Sequence, residues 1–175
     1  LYLMMAISDN TATNMLIRLA GFEAINGVMR ELGMTGSVLG RLMVGRLAVE
    51  GEQENLATPC DYTRVVASLF EETAASASAC AAMVATLEKQ QNARRIGRFV
   101  PAGQGWRWGS KTGSNAGVTN DAGFVEGPAG RMLIAVYCRD VPEPVEGEIM
   151  IAEITRAAMR ATGLIGASSG GLSLH

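Results

Sequence analysis

An α+β fold is expected, a helical subdomain followed by an antiparallel sheet that a C-terminal helix covers. Three observations point to it. Apolar residues recur at helical spacing through roughly the first hundred positions; short strand-like runs separated by Gly, Asn, Asp and Pro follow; the last patterned segment is helical again. At 175 residues and 48% hydrophobic, the chain is long enough for one domain with a real core, or for a large part of one.

Ala12, Met15, Leu16 and Leu19 recur at helical spacing after the turn Ser8-Asp9-Asn10, and Gly21 stops that helix. A second short helix, Phe22 to Leu32, ends at Gly33 in the same way. From about 34 to 57 the pattern breaks into a Gly-rich, charged stretch that reads as a long surface loop. Thr58 suits a helix cap, Pro59 the first helical position and Asp61 the first turn, so a third helix is expected to about Glu72. A fourth runs from Ser76 to Gln90, followed by the basic connector "NARRIGRFVPAGQG". "WRWGSKTG", "TNDAGFVEG" and "RMLIAVYC" predict three antiparallel strands in a meander. "PVEGEIMIAEITRAAMRATG" predicts a final helix whose apolar residues Ile149, Ile151, Ala152, Ile154 and Met159 cover the sheet. The organisation is therefore a helical subdomain at 1–100, the sheet and its helix at 101–165, and a flexible Gly/Ser tail at 166–175. The start "LYLMM", in mid-pattern and without an initiator Met, reads as a cut.

Composition narrows the chemistry. A net charge of -2, from 15 basic and 17 acidic residues intermixed along the chain, offers no basic face for nucleic acid. No run is apolar for the roughly 18 residues a membrane span needs. Cys60, Cys80 and Cys138 are odd in number and far apart, which suits neither a disulfide framework nor a zinc site. The single histidine, His175, is the last residue, so no histidine-based triad is available within the chain.

Two short motifs remain. In "GSKTGSNAG", strand alternation puts Lys111 and Gly113 on one face, where the glycine leaves room beside the ammonium for an anionic ligand; Thr112 and Ser114 add hydroxyl donors. An edge strand with a protective lysine is the structural alternative. In "AISDNTATN", Asp9 and Asn10 suit a helix cap. Taken together, in this order and about a hundred residues apart, S-D-N and K-T-G are the second and third signatures of class A β-lactamases and penicillin-binding proteins.

"MMAISDNTATNMLI", "ENLATPCDYTRVV" and "LEKQQNARRIGRFVPAGQGWRWGSKTGS" resemble, in order and spacing, three separated segments of class A serine β-lactamases, so the likeness extends over nearly the whole chain. The resemblance implies acyl transfer through an acyl-serine, with a β-lactam or related amide or ester as the small-molecule substrate and no metal or organic cofactor. It implies that Ser8 relays a proton to the leaving nitrogen within reach of Lys111. It assigns Asp9 to holding the loop and Asn10 to the substrate's side-chain amide. Thr112, Gly113 and Ser114 would form the carboxylate site with Lys111, the Ser114 N–H serving as half of an oxyanion hole. It also implies a periplasmic or secreted bacterial protein.

Two departures limit the resemblance. No S-x-x-K is present, so the nucleophile would lie in an upstream segment of the same fold and this chain alone should be inactive. The family's omega-loop glutamate is absent too: Gly51 stands four residues before Asn55, counting back from Pro59 lands near Leu42, and Glu50, Glu52 and Glu54 read as a solvated acidic loop. No arginine is clearly placed on the second strand for carboxylate binding; Arg131 and Arg139 flank the third. The alternatives are a D,D-peptidase or esterase on the same fold, and a non-catalytic pseudoenzyme or binding module. The complete fold should hold a five-stranded sheet with helices on both faces.

Overall fold

The computed structural model describes residues 1–103 and 105–166. The tail assigned to 166–175 therefore lies, beyond its first residue, outside the described residues. A five-residue π-helical turn at Leu3–Ile7 leads into α1 (Asn10–Ala20) and α2 (Phe22–Glu31), with Gly21 at φ +83° between them. After a loop come α3 (Pro59–Phe70) and α4 (Ala77–Leu87), then the connector with a 3-10 turn at Ile96–Phe99. The strands β1 (Arg107–Asn115), β2 (Val118–Gly127) and β3 (Gly130–Arg139) precede α5 (Pro144–Ala161).

Local chemistry places these boundaries. The Thr58 hydroxyl accepts from the Asp61 N–H at 3.1 Å with Pro59 just inside α3, and Ser76 caps α4 through the Ala79 N–H. Asn115 pairs with Val118 and Gly127 with Gly130, so two-residue turns join both hairpins and the sheet order is β1-β2-β3.

Alternation along β2 divides the core. Phe124 faces α3 and α4 with Val66, Leu69, Val84 and Leu87, while Val125 faces α5 with Ile134, Val136, Ile151 and Met159. Both faces of the sheet thus carry helices, and β2 is buried on both sides. One expectation is corrected here. Ile151, Ala152 and Met159 of α5 are buried as foreseen, but Ile149 and Ile154 are 45% and 44% exposed. The face against the sheet instead includes Gly147, Glu148 and Thr155. A Cβ on Gly147 would stand 2.5 Å from the Thr119 Cβ, so the helix approaches too closely there for a larger residue. That contact rotates the wheel and leaves the two isoleucines off its inner stripe.

Candidate active site

The S-D-N stretch is a bend between two helical segments. Ser8 ends the first turn in the left-handed conformation, φ 61° and ψ 39°, a strain on the order of 1 kcal/mol that the surroundings hold in place. The Asp9 carboxylate accepts from the Ala12 N–H at 2.6 Å and caps α1, and Asn10 opens the helix with its side chain free among the described residues. After α4, the Gln91 N–H donates to the Ala6 carbonyl at 3.4 Å, pinning this bend beside β1.

The two motifs meet. The Lys111 ammonium donates to Ser8 Oγ at 2.7 Å and to the Thr112 carbonyl at 2.5 Å. Burial pushes the Lys111 pKa down to about 8, with the Arg95 charge acting in the same direction and Asp121 against it. A proton on this lysine is therefore mobile near neutral pH.

Arg95 is the residue that the sequence did not disclose. Only 3% exposed, it reaches across the strands to donate to the carbonyls of Gly113 at 2.9 Å and Asn120 at 2.6 Å, and to Ser114 Oγ at 2.6 Å. Because the Ser114 oxygen accepts from the guanidinium, its own O–H is left to donate to another partner. Glu148, buried near the start of α5, neutralises the pair: its carboxylate lies 3.4 Å from Arg95 and 3.0 Å from both Arg94 and Asn92. The arginines flanking β3 lie elsewhere. Arg131 pairs with Glu126 and stacks on Phe70, and Arg139 is exposed beside Asp140.

The loop between α2 and α3 folds over this region. Asn55 Oδ1 accepts from the Gly40 and Arg41 N–H groups at 2.8 and 2.9 Å, and Val38 bridges to Leu56. Asn14 of α1 exchanges two 2.8 Å bonds with the Met43 backbone, tying the loop to the S-D-N helix. The acidic residues of the loop lie on its solvent side, Glu50 and Glu52 exposed and Glu54 half-buried, and two of them are also ion-paired. Glu54 pairs with Arg41 at 2.8 Å and Glu52 with Arg46 at 2.6 Å, because each arginine stands within reach across the folded loop; hydrogen bonding to Arg46 pulls the Glu52 pKa down to about 2. Between loop and sheet lies a cavity of about 600 Å³, reached by Asn10, Met43, Gly45, Ser114, Asn120 and Tyr137. Glu54, the carboxylate that borders it, is bound to Arg41 and to the N–H groups of Ala48 and Asn55.

The structure thus brings together an ammonium bonded to the Ser8 hydroxyl, a Ser114 hydroxyl held by a buried guanidinium, and the Asn10 carboxamide on the adjoining cavity. Groups of these kinds can bind an anion, pass a proton and orient an amide.

Comparison with known proteins agrees with this geometry. A family model described as "Beta-lactamase enzyme family" matches residues 1–162. No curated protein sequence matches the chain. Among solved structures, the chain is similar to the β-lactamase from Sphaerobacter thermophilus at 57% identity and TM-score 0.92, over 94% of this chain and 62% of that one. It is similar to PBP-A at 25% identity and TM-score 0.78, over 94% and 60% of the two chains. A class A β-lactamase from Mycobacterium abscessus follows at 26% identity and TM-score 0.82, over 93% and 63%. This chain therefore spans somewhat under two thirds of each relative's length. With the S-D-N bend and the K-T-G strand joined through Ser8 and Lys111, and with a family model running from the first residue into the turn after α5, the chain belongs to the β-lactamase enzyme family.

Proposed function

We propose that this chain carries the substrate-binding and proton-transfer half of a serine hydrolase that opens a β-lactam, or a related amide or ester, through an acyl-serine intermediate. The observation that carries the proposal is the 2.7 Å bond between Lys111 Nζ and Ser8 Oγ, with Asn10 on the adjoining cavity. In this reading, Lys111, Thr112 and Ser114 hold the substrate's carboxylate, and Asn10 holds its side-chain amide. The nitrogen released from the carbonyl takes a proton from Ser8, which is resupplied from Lys111; the lowered pKa of that lysine favours the transfer. The Ser114 N–H contributes one oxyanion donor, worth roughly 3 kcal/mol in comparable sites. In this reading the attacking serine and its lysine come from an S-x-x-K segment of the same fold that this chain does not contain, and the complete protein works in the periplasm or outside the cell.

A second reading has an observation of its own. The one carboxylate bordering the cavity is held by Arg41, so no described group stands ready to activate a water beside Asn10. An acyl-enzyme here would be long-lived, as suits a D,D-peptidase or an acyl transfer to an amine.

The test joins this chain to the part of the Sphaerobacter relative that it does not span and treats the product with a fluorescent penicillin. Label on a serine of the added part, with none on the chain alone, is expected. Nitrocefin turnover set against p-nitrophenyl ester hydrolysis and label lifetime then separates the two readings. Label on Ser8 or Ser110 would overturn the assignment of the nucleophile, and no label at all would favour a non-catalytic binding module.

A further inference from the structure

Behind the K-T-G strand the sheet holds a buried carboxyl. Asp121 of β2 pairs with Thr112, and alternation sets it on the face toward α5, opposite to the face that carries Lys111. It is 0% exposed. One oxygen, Oδ2, accepts the Ile96 N–H at 3.2 Å and so ties the connector, one residue past Arg95, to the strand. The other, Oδ1, is buried with no hydrogen-bond partner among the described residues. An asparagine would accept the Ile96 N–H equally well, so this bond by itself does not call for a carboxyl.

The surrounding charges do. Arg95 and Glu148 are both buried and 3.4 Å apart, one positive and one negative. Lys111 adds a second positive charge, and its ammonium is bonded to the neutral oxygens of Ser8 and Thr112 and to no carboxylate among the described residues. The other charged groups on the neighbouring elements are engaged elsewhere: Glu88 of α4 with Arg107 at the start of β1, and the exposed Arg94 with Glu148. Asp121, when ionised, brings the sum over Arg95, Glu148, Lys111 and itself to zero, which is the arrangement that lets charges persist away from water. Burial lowers the Lys111 pKa, Asp121 acts to raise it, and Arg95 adds to the lowering. Burial in turn pushes the Asp121 carboxyl up, against Ser110, the Ile96 N–H and the Arg95 charge.

We infer that Asp121 is a positioning residue of this site: from behind the strand it fixes the Arg95–Ile96 peptide and, as a carboxylate, supplies the counter-charge that keeps the Lys111 ammonium in place opposite Ser8. The inference rests on the acyl-transfer reading above for the use made of Lys111, but its test needs no substrate.

The experiment uses the 175-residue chain, in which Lys89 and Lys111 are the only lysines. With ¹³C-labelled lysine the two Cε signals are followed by NMR across pH, and Lys89→Arg identifies the one that belongs to Lys111. Asp121→Asn should move the Lys111 midpoint down from about 8 by roughly half a unit or more, because one negative charge is gone. The Ile96 and Ser114 amide shifts should stay close to those of the unaltered chain, since the asparagine still accepts the Ile96 N–H. Glu126→Gln, which removes a charge from the other end of β2, should leave the midpoint where it is. A midpoint unmoved or raised in Asp121→Asn, or moved equally by Glu126→Gln, would overturn the inference, because a purely structural Asp121 predicts no difference between the two. A second measurement needs no substitution: in the unaltered chain the Asp121 ¹³Cγ signal should show an ionised carboxylate at pH 7 and move again as Lys111 titrates. A protonated carboxyl there at pH 7 would overturn the inference even if Asp121→Asn did not fold. None of these results bears on the acyl-transfer reading, which stands or falls by penicillin labelling of the completed protein.

Discussion

Lys111 sets the chemistry of the cleft against the stability of the fold. Its pKa in the folded chain is about 8, below the ordinary 10.5, because burial disfavours the ammonium. Below about pH 8 both folded and unfolded chains are protonated at this site, and the cost of burying the charge is fully present. Between about 8 and 10.5 the unfolded chain binds more protons, so this group makes stability rise with pH, by up to about 3 kcal/mol. Lys111→Met should therefore stabilise the chain at pH 7, by an amount that shrinks as the pH approaches 10; urea melts of the two proteins across pH read the difference. Carboxylate binding should move the opposite way, weakening above pH 8 and absent in the variant. Identical pH profiles for the two proteins would mean that Lys111 is not desolvated. Ser8 and Lys111 were legible in the sequence because each sits in a short contiguous motif. Arg95 was not, since its role depends on Glu148 and on carbonyls of two strands, none of which its own surroundings "NARRIGRF" reveal.

The loop and the last helix show what pattern alone could and could not fix. Their extents were readable, from the glycines that break periodicity and from the 3.6-residue repeat. Their internal bonding was not, because Asn55 and Asn14 act on residues 12 to 29 positions away. Asn55→Ala would free the Gly40 and Arg41 N–H groups together, for a loss of about 1–2 kcal/mol. Limited proteolysis should then cut between Arg41 and Glu54 while α3 to α5 stay intact; unchanged resistance would place the loop's support elsewhere. In α5, Ile149→Lys and Ile154→Lys should each change stability by no more than about 0.5 kcal/mol, whereas Met159→Ala should cost about 2–5 kcal/mol. A large loss at either isoleucine in thermal melts would contradict the observed rotation of the helix.

Arg95 connects the connector, β1, β2 and α5 through one guanidinium. Removing it leaves Glu148 buried with only Arg94 and Asn92 for partners, a change worth about 3–5 kcal/mol out of a typical total of about 5–15. Arg95→Met should shift the urea midpoint accordingly, and adding Glu148→Gln should recover much of the loss, as removal of both charges does in other buried pairs. Additive losses in the double variant would show that the two residues act separately. The order of the strands bears on how the molecule assembles. Two tight hairpins let the sheet form from contacts close along the chain, and such contacts form quickly. Ser8 must return across 103 residues to reach Lys111, a closure whose entropy is met only after the helices pack. The contact between them is thus a sensitive report on how well the intervening helices are packed, since it has no local chain segment to hold it.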